Sequence, residues 1–441
     1  MNKRVGIRRE DKNIWERRVP ITPQHAAELS EKAGLSFCIQ PSEIRVFPDS
    51  DFQAAGAEIR EDLSTCPVVF AVKEIPTDFF QANGVYVFFA HVVKGQAYNM
   101  PMLQRMLDLK CTLIDYEKVE DEKGRRLIFF GRHAGLVGMI DSLWALGQRL
   151  ELEGTPTPFS QIQQAYRYGD STAAKEAVRR VGEQIAVEGL PEFIAPFVCG
   201  FAGYGNVSRG AQEVFDQLPA QEITPEQLLK LADYDRRVVY KVVFKEVHTV
   251  TPIDPAQQFE LYDFFDHPQK YQSQFEQYLP HLTMLINAIF WTCASPRLVT
   301  NAYLRQSYSE GQTPRLKVIG DISCDIEGAI EATVRATDPG EPVFVYEPLA
   351  GQAPAGLAGN GPVIMAVDNL PCELPAESSA DFSVVLRDYA PAIATADYTV
   401  PFAECALPPE IKRAVIVYRG ELTPAYRYLG EFLGSWVMGN R

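Results

Sequence analysis

The sequence has no stretch that reads as a membrane span. Its longest apolar run, near Leu282 to Cys293, is broken by Thr283, Asn287 and Thr292, and is too short and too polar to cross a bilayer. Its β-branched and aromatic residues suit a buried strand. The N-terminus is charged, with Lys3, Arg4, Arg8 and Arg9, and lacks the apolar core of a targeting peptide. Eight scattered cysteines form no Cys-X-X-Cys pair, which argues against a zinc cluster or disulfide framework and for reduced thiols in a cytoplasm. Positive charge is in deficit. The 42 Lys and Arg against 57 Asp and Glu leave a net charge of −15, which argues against nucleic acid or an anionic membrane as partner. There is no internal repeat and no low-complexity tract.

What is present is an ordinary globular composition, 46% hydrophobic and 22% charged over 441 residues, long enough for two or three domains. Strand-like and helix-like segments alternate through the first 130 residues. Val5 to Arg8, Val68 to Lys73, Val85 to Ala90 and Thr112 to Asp115 read as strands. Pro23 to Ala33, ended by Gly34, and Asn99 to Leu109 read as helices. A long helix is expected from about Gly135 to Leu152, then a loop over Gly154 to Ser160. Strands follow at Phe193 to Phe201, Val238 to Lys245, Leu285 to Trp291 and Leu316 to Ile322, with a helix at Ala380 to Ile393. The expected fold class is α/β, with two Rossmann-like domains and a cleft between them. Residues 1–135, completed by 370–441, form a discontinuous catalytic domain. Residues 136–369 form the dinucleotide domain, with an aromatic insertion near 250–280.

The turn Gly203-Tyr204-Gly205-Asn206-Val207-Ser208-Arg209-Gly210 lies between a buried strand and a helix. Gly203 and Gly205 let the backbone approach a pyrophosphate, and the free N–H groups over Asn206, Val207 and Ser208 face it. Ser208 stands at the third glycine position of GxGxxG, where a small residue still permits close packing. The other reading of such a glycine pair is a plain tight turn. An acid at the end of the second strand would bind a ribose 2′-hydroxyl and favour NAD(H). Here that stretch is Gln221 to Glu226, and the register decides whether Glu222, Thr224 or Glu226 faces the ribose. A threonine there leaves room for the 2′-phosphate of NADP(H).

Three further signatures carry charge: Arg18-Val19-Pro20-Ile21-Thr22-Pro23, Val72-Lys73-Glu74 and Phe89-Ala90-His91-Val92-Val93-Lys94. Arg18 suits a carboxylate because its fork is planar; the plainer reading is a surface arginine paired with Glu16 or Glu10. Lys73 at a strand end is either a solvated cap or, partly desolvated among cations, a base near neutrality, with Glu74 restraining the shift. His91 at the next strand end pairs with it as a candidate proton carrier, while His133, His248, His267 and His281 read as structural. Asp321, Asp325 and Glu327 lie at another strand end. With no histidine or second acidic cluster to complete them, no metal site is expected.

These segments resemble the alanine dehydrogenase and transhydrogenase superfamily, and within it the lysine–2-oxoglutarate reductase half of bifunctional aminoadipic semialdehyde synthase. The resemblance runs through Arg8 to Asp11, Trp15 to Arg18, Phe88 to His91, Leu113 to Lys118, Gly203 to Gly210, Ile286 to Trp291, Ser295 to Leu298, Asp321 to Glu331 and Asp368 to Pro371; the insertion at His267-Pro268 also fits it. It implies that L-lysine and 2-oxoglutarate condense to an imine that is reduced to saccharopine. It implies Lys73 and His91 as the acid–base pair and Arg18 on a substrate carboxylate, with Lys94 a further substrate-site cation. Glu16, Glu74 and Glu117 would tune the site, and Asp325, Asn369 and Leu370 would lie beside the nicotinamide. It favours NADP(H) and leaves NAD(H) open. Since the sequence stops at Arg441, the glutamate-forming saccharopine dehydrogenase activity is expected to be absent or to belong to another polypeptide, and a homo-oligomer is left open. The competing readings are an amino acid or opine dehydrogenase with another amine and keto acid pair, and a non-catalytic nucleotide-binding subunit.

Overall fold

The computed structural model describes residues 3–309 and 314–433. Two compact units form. One takes the chain up to Phe130 and again from Pro375; the other is Gly131–Leu374.

In the first unit, short runs of Val, Ile and Phe build six parallel strands: β1 (Arg4–Ile7), β2 (Ser36–Ile39), β3 (Glu58–Ile59), β4 (Val68–Phe70), β5 (Val85–Phe88) and β6 (Thr112–Asp115). Helix α1 (Pro23–Ala33) has the boundaries its punctuation dictates. Pro23 sits where no amide donor is needed, Thr22 Oγ1 accepts the His25 N–H, and Gly34 closes it at φ +66°.

The second unit contains helix α2 (Gly131–Leu152), β7 (Phe197–Ala202), helix α3 (Asn206–Phe215), β8 (Ala220–Glu222) and β9 (Val239–Phe244). The expected insertion is an antiparallel hairpin of β10 (Val250–Pro252) and β11 (Tyr271–Ser273), with Phe259 and Phe264 packed on Tyr271. Then come β12 (Met284–Asn287), β13 (Val318–Asp321), β14 (Val343–Val345) and β15 (Val363–Met365). The seven-stranded sheet has the order β14-β15-β13-β12-β7-β9-β8, parallel except at β14. The strand expected to reach Trp291 stops at Asn287; beyond it the chain leaves the ladder and Phe290 is 87% exposed.

Helix α4 (Pro375–Thr395), β16 (Val415–Tyr418) and β17 (Glu421–Leu422) return to the first unit. β16 adds antiparallel to β6, completing the order β17-β16-β6-β5-β4-β1-β2-β3. Ser379 and Ser383 on α4 accept hydrogen bonds from the amides of Val19 and Thr22, each at 3.0 Å, so the returning helix pins the Arg18 segment. No helix among the described residues is long and apolar enough to cross a membrane.

One contact fixes the second unit. Helices α2 and α3 cross with almost no side chain between them: a Cβ at Gly135 would land on the Val207 carbonyl, and one at Gly210 on that of Arg132. Backbone on both sides leaves nothing to yield. Gly135→Ala and Gly210→Ala should each destabilise the protein by about 3 kcal/mol, read as a lowered thermal midpoint. An unchanged midpoint in both would show that the helices do not meet there.

Candidate active site

In a parallel sheet, ligands gather at the carboxyl ends of the strands. In the first unit β1 runs out into Arg8 and Glu10, β4 into Val72, Lys73 and Glu74, β5 into Ala90 and His91, and β6 into Tyr116 and Glu117. All four ends lie side by side.

Glu10 organises this edge. It is buried, and its two carboxylate oxygens accept the amides of Val72 at 2.7 Å and Lys73 at 2.9 Å, locking the turn that carries the lysine. Burial, then the charge of Glu16, push its pKa up to about 7. Arg18 is not the surface arginine of the plainer sequence reading. It is 2% exposed and donates from Nε and Nη2 to Glu16, at 2.8 and 2.5 Å, with its guanidinium 4.3 Å from the centre of the Phe130 ring. Lys73 is half-buried, and its pKa is lowered by burial first and by the Arg18 charge second, against the opposing pull of Glu16 and Glu74.

His91 sits in the left-handed region at φ +48°. Asn99 Nδ2 steadies that turn by donating to the carbonyls of Ala90 at 3.0 Å and His91 at 3.2 Å. The ring Nδ1 meets Glu74 Oε1 at 2.6 Å, which leaves Nε2 for proton transfer. Burial works against the charged form of Glu74, yet the His91 hydrogen bond and the nearby Lys12 bring its pKa down to about 2. Glu117 pairs with Arg126 at the neighbouring strand end. Lys94 is exposed and makes no ion pair with any described residue; its amide bonds Gln96 Oε1. The edge thus assembles Arg18, Glu16, Lys73, Glu74 and His91. Glu10 and Asn99 belong with them; sequence reading offered Glu10 only as a surface partner of Arg18 and gave Asn99 no role. A separate cavity of about 470 Å³ in this unit is walled by Leu63, Cys66, Val69, Phe79 and Tyr86 and includes neither Lys73 nor His91.

In the second unit β7 ends at the glycine turn. Gly203 adopts φ +98°, and an added Cβ would meet the Ala288 carbonyl at 2.9 Å; the face of Gly205 is open, with nothing within 4 Å. Gly205 caps α3 without a side chain, so the first-turn amides of Asn206, Val207 and Ser208 receive no side-chain cap. An uncapped helix start behind an open glycine fits a pyrophosphate. Ser208 is fully buried and bonded by Gln212. At the ends of β12 and β13, Asn287 Nδ2 donates to Asp321 Oδ1 at 2.8 Å and Thr333 Oγ1 to Oδ2 at 2.6 Å. Burial pushes the Asp321 pKa up to about 6. This network shapes the loop bearing half-buried Asp325, while Asn369 and Leu370, both buried, follow β15 on the same edge. Thr224 follows β8 at the margin of the sheet, where its Oγ1 accepts the Gln227 amide at 3.2 Å. No three of His, Cys, Asp or Glu come together as a metal set among the described residues.

The chain resembles known proteins over nearly its whole length. Residues 6–137 match the alanine dehydrogenase/PNT N-terminal domain and residues 211–425 the C-terminal domain of the same family. An alpha-aminoadipic semialdehyde synthase from Arabidopsis thaliana is 37% identical over 96% of this chain and 41% of its own length; the mitochondrial one from Bos taurus is 34% identical over 96% and 47%. The chain therefore spans less than half of these relatives. A saccharopine dehydrogenase (NAD(+), L-lysine-forming) from Neurospora crassa is 28% identical over 89% of this chain and 90% of its own. Among solved structures, an L-alanine dehydrogenase covers 98% of this chain and 99% of itself with a TM-score of 0.62 at 16% identity, a likeness of fold. Two domain matches in order, two relatives above 30% identity and a shared fold lead to one conclusion: the chain belongs to the alanine dehydrogenase/PNT family.

Proposed function

We propose that this chain is a nicotinamide-dependent oxidoreductase of lysine metabolism that joins L-lysine and 2-oxoglutarate to form saccharopine, and runs the reverse reaction. One observation carries the reading: Lys73 with a lowered pKa beside a Glu74-held His91, next to the buried Arg18–Glu16 pair, on one strand edge. The names of the relatives, aminoadipic semialdehyde synthase and saccharopine dehydrogenase, support the substrate class.

The chemistry needs protons moved twice. The ε-amine of lysine must lose a proton to attack the keto carbon, and the carbinolamine oxygen must gain one to leave as water. Lys73, poised below an ordinary lysine, takes the first proton at Nζ; His91 delivers the second from Nε2, with Glu74 orienting its ring. Arg18 lends positive charge to a substrate carboxylate, and Glu16 fixes its fork. When bound, a nicotinamide cofactor would supply the hydride that reduces the imine; the turn at Gly203 to Ser208 would hold its pyrophosphate, and Asp325, Asn369 and Leu370 would lie beside its nicotinamide. Saccharopine would pass to a glutamate-forming dehydrogenase. The eight free cysteines suit a reducing compartment such as the cytoplasm.

Nicotinamide oxidation by the purified protein should require both L-lysine and 2-oxoglutarate. Lys73→Met and His91→Gln should each lower kcat by about 100-fold or more while the protein stays folded. Full turnover in both variants would refute the acid–base assignment; no turnover by the unaltered chain with any nicotinamide cofactor would refute the substrates.

Lys73 also marks stability. Its folded pKa lies below the unfolded value of 10.5, so the unfolded chain binds more protons and stability rises with pH across the window between the two. Removing the ammonium removes this penalty. Lys73→Met should therefore melt no lower than the parent at neutral pH, and any advantage should fade above the unfolded pKa. A lower melting point at neutral pH would mean that Glu16 and Glu74 hold the ammonium more strongly than burial disfavours it.

A further inference from the structure

Residue spacing puts the ribose-reading strand directly after the glycine helix, at Gln221 to Glu226. The sheet order does not. β8 lies at the margin, and β9, which comes later in sequence, is inserted between it and β7. On this side of the sheet the neighbour of the glycine-turn strand is therefore β9. Ala202 stands in register with Phe244, and the Gly203 amide donates to the Phe244 carbonyl at 3.0 Å. In dinucleotide folds the residue just beyond this neighbouring strand meets the adenosine ribose, an acid for a 2′-hydroxyl and a cation for a 2′-phosphate.

The residue just beyond β9 is Lys245. It is exposed, makes no ion pair with any described residue, and holds its ammonium 5.9 Å from the ring centre of Tyr204, which stands between the two glycines. The acid that follows is engaged: Tyr204 donates its hydroxyl to Glu246, at 3.1 and 3.4 Å to the two oxygens. The three residues that spacing favoured are engaged elsewhere. Glu222 pairs with Lys241 at 3.1 Å, Thr224 is bound up with Gln227, and Glu226 approaches His248 at 3.9 Å.

We propose that Lys245, at the end of β9 and over the face of Tyr204, binds the adenosine 2′-phosphate and makes this chain selective for NADP(H). The proposal rests on the dinucleotide reading of the glycine turn and adds the residue that discriminates. The phosphate gains a charge-assisted hydrogen bond from the ammonium, whereas a 2′-hydroxyl gains little from it.

Calorimetric titration with adenosine 2′,5′-bisphosphate and with 5′-AMP tests this without turnover. The unaltered chain should bind the bisphosphate about tenfold or more tighter than 5′-AMP, a single charged contact. Lys245→Ala should erase that ratio and leave 5′-AMP affinity unchanged, Lys245→Arg should keep it, and Thr224→Ala should not alter it. Binding of both nucleotides without discrimination, or a ratio that survives Lys245→Ala or collapses in Thr224→Ala, would overturn the role of Lys245 while leaving the dinucleotide site in place. Failure of both nucleotides to bind would overturn the dinucleotide reading and the proposal together.

Discussion

The first unit is governed by the cost of gathering charge at the ends of buried strands. Four parallel strands deliver Arg18, Lys73 and His91 into a region where an unpaired ion would be expensive. Acids embedded in the same edge offset that cost. Glu16 grips Arg18 through two donors, Glu74 grips His91, and Glu10 binds the backbone under Lys73 instead of its ammonium. Lys73 is thus the cation left least compensated, and its lowered pKa follows. A lysine held by its backbone and left electrostatically short is suited to take protons, whereas one matched by its own carboxylate would stay protonated.

The second unit relies on close backbone approach. Helix α2 presents Gly135 to α3, and α3 presents Gly210 in return, so the helix behind the glycine turn has one seat. The strand ends are tied by short polar links: Asn287 to Asp321, Thr333 to Asp321, and Ser323 Oγ to the Ile289 carbonyl at 2.6 Å. None of these groups needs to touch a substrate. They set where the turn, the Asp325 loop and the segment after β15 lie along one sheet edge.

Much of this was legible in the sequence for physical reasons. The α/β class followed from short Val- and Ile-rich runs alternating with amphipathic segments, and α1 was bounded by Thr22, Pro23 and Gly34. Lys73 and His91 stood out because each ends an apolar run. Other features were illegible because they depend on partners distant in sequence. The burial of Arg18 requires α4, which arrives more than 350 positions later. Glu10 was offered only as a surface partner of Arg18, because the two backbone amides that donate to it, some 60 residues away, carry no sequence signature. The order of β8 and β9 could not be read from spacing, since either strand satisfies the same pattern. Helix α3 begins at Asn206, because the glycine turn passes straight into it.

The account stands most directly on the protonation of Lys73. Titrating the protein with ¹³C-labelled lysine side chains, with the Lys73 resonance assigned by its loss in Lys73→Met, would follow that one group by NMR. The account predicts a midpoint clearly below the ordinary lysine value of 10.5. A Lys73 midpoint at or above the ordinary value would contradict it, because the lysine would then remain protonated and could not accept the proton that the proposed chemistry assigns to it.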